Sequence, residues 1–140
     1  MPSYCEDAYG KLLSFLQSVD TDFRPALSDK VYLPDYVRKI IENAALVVEE
    51  DGDKIVGLAV VYCNNELTKR AYISLVGVAA GYRNKGIAKN LVTRAIQVVR
   101  EKRFTVIGIH SNNPVAIRLY QSLGFVLIEP GERVYLELVL

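Results

Sequence analysis

Val76-Gly77-Val78-Ala79-Ala80-Gly81-Tyr82-Arg83-Asn84-Lys85-Gly86-Ile87-Ala88 is the stretch from which the fold can be read. It starts in a run of β-branched and small residues that reads as a strand. It ends where the apolar period turns helical, with Ile87, Leu91, Ala95, Val98 and Val99 along one side of a segment from Gly86 to about Arg100. Glycines at 81 and 86 let the backbone turn tightly and come close to a ligand, and successive amide N–H groups converge where the helix begins. The helix dipole favours negative charge there, so the physics suits a pyrophosphate. Two familiar phosphate motifs do not fit. Gly81-x4-Gly86 continues Ile87-Ala88 where a P-loop needs Lys-Ser/Thr, and no G-x-G-x-x-G follows any strand.

Upstream, Tyr9, Leu12, Leu13, Phe15 and Leu16 give a helical stripe over 5–18, and Leu33, Tyr36, Val37, Ile40 and Ile41 a second one with Pro34 in its first turn. A loop, Asp20 to Lys30, joins them. Residues 45–50 and 54–63 flank Asp51-Gly52, a hairpin signal, and a turn at 64–69 leads into Ala71–Ala79, so three strands form an antiparallel meander. Downstream, a strand at Phe104–Ile109 follows the helix directly, and strand–helix–strand makes the two strands parallel neighbours. Asn113-Pro114 opens a helix that runs to Leu123 and ends at Gly124, and 125–128 with 134–140 form a closing hairpin. The pattern is α/β in the α+β sense, one domain over residues 1–140.

With 140 residues, 51% apolar and 24% charged, the chain has the composition of an ordinary globular protein with a real core. The formal net charge of +1 advertises neither nucleic acid nor an anionic membrane. Charge is nevertheless uneven: residues 81–103 carry seven Lys or Arg against Glu101, leaving that segment at +6 and the rest at −5. The basic segment lacks the interleaved aromatics of a nucleic-acid stacking platform, so its expected partner is a small anion. Cys5 and Cys63 have no metal-like spacing with His110, and no run of 18 apolar residues occurs, so the expectation is a cytoplasmic protein with reduced thiols and no structural metal.

Arg83-x-x-Gly86-x-Ala88 resembles the Q/R-x-x-G-x-G/A signature of the GCN5-related N-acetyltransferase (GNAT) family, and Asn113-x-x-Ala116-x-x-x-Tyr120 with Leu123-Gly124-Phe125 resembles its second motif. The element order over all 140 residues matches as well. The resemblance implies a mostly antiparallel sheet whose parallel strand pair splays apart to hold acyl-CoA. It implies pyrophosphate binding by Arg83, Asn84, Lys85, Gly86, Ile87 and Ala88, with the Arg83 guanidinium meeting phosphate oxygens. Val76, Gly77 and Val78 would pair with the pantetheine arm through their backbone, Asn113 and Ala116 would line the coenzyme's path, and Tyr120 would be the general acid that protonates the leaving thiolate.

An aliphatic amine at neutral pH costs about 4 kcal/mol to deprotonate, so a base is needed. Some members place a glutamate five residues before the motif's asparagine; here that residue is Gly108. Tyr72 and Ser74, which share a strand face, Asn64, and His110 remain as polar candidates around the acceptor. In relatives the loop between the first two helices shapes the acceptor site, which points to Asp20–Lys30 with Phe23, Arg24 and Ser28, Arg24 being suited to a carboxylate or phosphate. The expected activity is acetyl transfer from acetyl-CoA to a primary amine of a small molecule, such as an amino sugar or amino-acid derivative, or of a peptide, by a monomer or homodimer. The alternative is an acyl-CoA-binding module or sensor with weak or no catalysis.

Overall fold

The computed structural model describes the backbone of residues 3–140 and the side chains of residues 8–140, so the Cys5 thiol lies outside the described residues. The elements are α1 (Ser3–Val19), α2 (Leu33–Asn43), β1 (Ala45–Asp51), β2 (Lys54–Asn65), β3 (Arg70–Val78), α3 (Ile87–Glu101), β4 (Val106–Ser111), α4 (Pro114–Ser122), β5 (Val126–Glu129) and β6 (Val134–Val139). Two single 3-10 turns, Asp20–Asp22 and Leu27–Asp29, shape the segment between α1 and α2. The strands form one sheet in the order β1-β2-β3-β4-β6-β5, antiparallel except for the β3–β4 pair. The closing hairpin is present, but its second strand inserts beside β4 and leaves β5 on the edge.

Each sheet face has its own core. On one, the α3 stripe of Leu91, Val92, Ala95 and Val99 packs with Ala59, Val61, Ile73, Ile107, Ile109 and Tyr120. On the other, Leu12, Phe15, Leu16 and Val19 of α1 and Val37 and Ile40 of α2 pack on Leu58, Val60 and Leu75. Burying such side chains supplies about 1.5–3 kcal/mol each, which is why the sequence stripes settle on these faces. α3 sits close to the sheet at Gly57, where an added Cβ would lie 3.0 Å from Ile87 Cγ2 and 3.1 Å from Leu91 Cδ1. That approach fixes the start of α3 against β2.

β3 serves both cores because it is not regular. Val60 pairs with Leu75 and the next residue, Val61, pairs with Ile73, so Ser74 is an extra residue, a β-bulge. A one-residue slip reverses every later side chain. Ile73 therefore faces α3, Leu75 faces α1 and α2, and Val76 and Val78 return to the α3 side.

Candidate functional site

The bulge coincides with the point where β3 and β4 part. Their parallel pairing runs from Arg70–Val106 to Ile73–Ile109 and then stops, although β3 continues to Val78 and β4 to Ser111. Residues 75–78 are thus paired to β2 on one side, ending at Gly57–Val78, and residues 74–78 have no strand partner on the other. Backbone donors and acceptors along such an edge are a template for an extended ligand with amide groups.

A cleft of about 750 Å³ opens at this parting. Its lining includes Ser74, Val76, Gly77, Val78 and Arg83 from β3 and the loop after it, Asn113, Ala116 and Tyr120 from α4 and its cap, and Phe23, Arg24, Leu27 and Lys30 from the α1–α2 segment. Tyr120 and Ala116 belong to the α3-side core, Phe23 and Leu27 to the opposite one. The cleft therefore passes between the two faces of the sheet, giving a ligand on each face access to the same gap. Gly77 permits this crowding, since a Cβ there would lie 3.4 Å from the Phe23 ring.

Beyond β3 the loop 79–86 has three left-handed residues, Gly81 (φ 83°), Asn84 (φ 62°) and Gly86 (φ 80°). Gly86 is the α3 N-cap and supplies no side-chain cap, so the first-turn amides stay available to an anion. The loop is anchored through Tyr82, whose phenol donates to the Asp51 carboxylate of the β1–β2 hairpin while the Lys54 and Lys85 ammonium groups lie over its ring at 5.3 and 5.7 Å. Asn84, Lys85, Gly86, Ile87 and Ala88 continue from the cleft-lining Arg83 into the helix.

Arg83 lines the cleft and has protein partners of its own. Its Nη2 donates to the Asp22 carboxylate and its Nε to the Val78 carbonyl at 3.1 Å, so the guanidinium ties the α1–α2 segment to the end of β3. Asp22 has no motif to mark it in the sequence. Asn64, expected near the acceptor, lies apart from the cleft: it is exposed, absent from the lining, and its Nδ2 donates to the Asn43 carbonyl at 2.9 Å, tying β2 to the end of α2.

Asn113 accepts from the Val115 and Ala116 amides at 2.9 and 3.4 Å, the helix-capping role expected of it, and Pro114 takes the first helical position. This fixes α4 and hence Tyr120, which is 95% buried yet reaches the cleft. Burial pushes its phenol up to about 12, because the phenolate loses more hydration than the neutral form, so the group keeps its proton at neutral pH.

On the α1–α2 side, His110 lines the cleft and its Nδ1 lies 2.7 Å from the Tyr72 phenol oxygen. Tyr72 stands behind His110, outside the cleft lining. The His110 ring packs on Tyr135 with centroids 4.7 Å apart, and the Tyr135 phenol donates to Glu137 at 2.8 Å. Glu137 also accepts from Arg70 at 2.6 Å, and these two hydrogen bonds hold its carboxyl below the usual range. Ser74 faces the Tyr36 phenol, which burial and the neighbouring Tyr62 push up to about 12, with Ser74 opposing the shift. Among the described residues no cluster of His, Cys, Asp and Glu suited to a metal occurs.

The profile of the Acetyltransferase (GNAT) family matches residues 12–125, a span that holds both the splayed strands and α4. The chain belongs to the GNAT acetyltransferase family. This GNAT chain is 34% identical over 89 residues to N-alpha-acetyltransferase 30 of Xenopus laevis, across 61% of this chain but 33% of that protein, so it spans about a third of that relative's length. In fold it is similar to a ribosomal-protein-alanine N-acetyltransferase from Brucella melitensis (TM-score 0.77, 18% identity, 94% of this chain and 96% of that one). It is equally similar to a chain of a NatC complex bound to Gag peptide and CoA (TM-score 0.77, 21% identity, 100% and 95%). The GNAT sheet with its parted parallel pair is therefore the fold of this chain.

Proposed function

We propose that the chain transfers acetyl from acetyl-CoA to the primary amine of a peptide or small molecule. The observation that carries this reading is the unpartnered edge of β3 at 74–78, which borders the same cleft as the proton-bearing phenol of Tyr120. The coenzyme supplies a thioester, an acyl group already activated toward attack. Residues 76–78 have amides to hold its arm and to polarise the carbonyl, and the loop 81–86 with the open start of α3 suits its phosphates. Tyr120 gives its proton to the departing sulfur.

His110 accepts the proton from the acceptor amine, directly or through a water. In the tautomer whose Nδ1–H donates to Tyr72, the other ring nitrogen keeps its lone pair. Peptide acceptors have support from the names of the relatives, and a cytoplasmic setting is part of the same reading. A second reading, coenzyme binding without turnover, has one observation in its favour, the glycine at 108.

Two measurements test the proposal. Calorimetry with acetyl-CoA should show binding that Gly86→Glu abolishes, because the new side chain strains a left-handed position and puts a negative charge in the cradle. Thiol release with a panel of amines should then show turnover. Binding without release for any amine supports the second reading, and no binding at all removes both.

A further inference from the structure

The charged groups around the cleft are one-sided. Arg24, Lys30, Arg83 and Arg133 line it against a single carboxylate, Asp22, which Arg83 already engages. Among the described residues, Arg24, Lys30 and Arg133 make no ion pair. These three belong to the acceptor side. Arg24 and Lys30 lie between α1 and α2, the helices that cover the face opposite α3. The Arg24 carbonyl accepts from Asn112 Nδ2 at 3.4 Å, which places this segment over the end of β4. Arg133 precedes Val134, the partner of Ser111 on that same strand end, and its charge acts on Tyr72 behind His110.

An ammonium entering this site meets three cations and no available carboxylate, which disfavours a simple alkylamine. We propose that the acceptor is a carboxylate-bearing amine, its anionic group held by Arg24 and Arg133 while the amine reaches His110; the inference rests on the transferase reading above. The arrangement has a second consequence. Cations facing an amine disfavour its protonated form, so the groups that hold the carboxylate also ease the deprotonation for which Gly108 supplies no side chain. An acidic peptide N-terminus and a free acidic amino acid share this chemistry.

The test is acetyl-CoA-dependent thiol release with matched short peptides, Ser-Asp-Glu against Ser-Asn-Gln at the N-terminus with the rest constant, and with free glutamate as a third arm. The expected result is a kcat/KM about 10-fold to 100-fold higher for the acidic peptide than for its amide twin, shrinking as salt is raised. Glutamate turnover above that of the peptides assigns the small-molecule source of the carboxylate. Arg24→Gln combined with Arg133→Gln should collapse the preference, and Arg24→Lys should restore part of it, a rescue that a folding defect does not give. Equal rates for the two peptides with measurable turnover overturn this inference and leave the transferase reading standing. No release with any acceptor, while acetyl-CoA binds, overturns both.

Discussion

The Tyr135 phenol fills the space that a side chain at position 108 would need: a Cβ built on Gly108 would lie 2.8 Å from Tyr135 Cε1 and closer still to the phenol oxygen. The two residues belong to neighbouring strands, and Glu137, directly opposite Gly108, accepts the hydrogen bond from that phenol. The missing carboxylate of the sequence is thus a coupled feature. Glycine at 108 makes room for Tyr135, which in turn packs against His110.

Installing a glutamate at 108 should therefore fail as a gain of function. Gly108→Glu is expected to lower stability by about 1–3 kcal/mol, the usual range for overpacking, and not to raise kcat. Gly108→Glu with Tyr135→Ala should recover part of the lost stability, since the clash is with the phenol. Denaturant unfolding of the single and double variants checks the coupling, and additive losses would separate the two residues.

The Arg83–Asp22 pair makes a different prediction from a direct phosphate contact. Removing the guanidinium in Arg83→Ala leaves the Asp22 carboxylate unpaired at the cleft, where it repels an anionic coenzyme. Coenzyme affinity should fall by about 10-fold at low salt and less at high salt, and Asp22→Asn in the same chain should restore most of it. A titration in which the second substitution rescues nothing assigns Arg83 to the phosphates themselves.

His110 and Tyr72 are expected to act as a pair. His110→Gln should lower kcat by about 10²-fold to 10⁴-fold, with coenzyme affinity unchanged within error. Tyr72→Phe should cost less, because it removes the hydrogen bond that orients the ring and leaves the proton acceptor in place. A His110→Gln variant that keeps the wild-type kcat assigns the base elsewhere.

Features fixed by backbone chemistry were legible in the sequence. Gly81 and Gly86 announced a tight backbone turn, which the structure makes with left-handed residues, and Asn113-Pro114 announced a capped helix, which is found. Features that depend on which strands meet were not. In Ile73-Ser74-Leu75-Val76-Gly77-Val78 the apolar residues fit two opposite registers, and only the partners on β2 decide that Ser74 is the bulge. Arg83 read as a phosphate ligand because its motif is local, while Asp22, 61 residues earlier, leaves no local signal. Tyr135 and Glu137 read as ordinary closing-strand residues, and their bearing on His110 and Gly108 needs the order β4-β6-β5.

Tyr120 gives the clearest separation of packing from chemistry. Its ring is buried against Phe125, with centroids 5.9 Å apart, so Tyr120→Phe keeps the contact and deletes one oxygen. Burial raises the phenol's pKa to about 12, so the proton-bearing form persists as pH rises through the range in which most enzymes are assayed. A phenol acting as the acid should then give a loss of about 10²-fold to 10⁴-fold in kcat on replacement, and that ratio should stay flat from neutral pH to about pH 10. An acid with an ordinary pKa would instead make the ratio shrink as wild-type activity fell on the alkaline side. Folding should not follow catalysis: the hydroxyl reaches the cleft and the Phe variant keeps the ring's packing, so the unfolding midpoint should be little changed. Full activity in the Phe variant at every pH would remove Tyr120 from the reaction and leave it as a wall of the cleft.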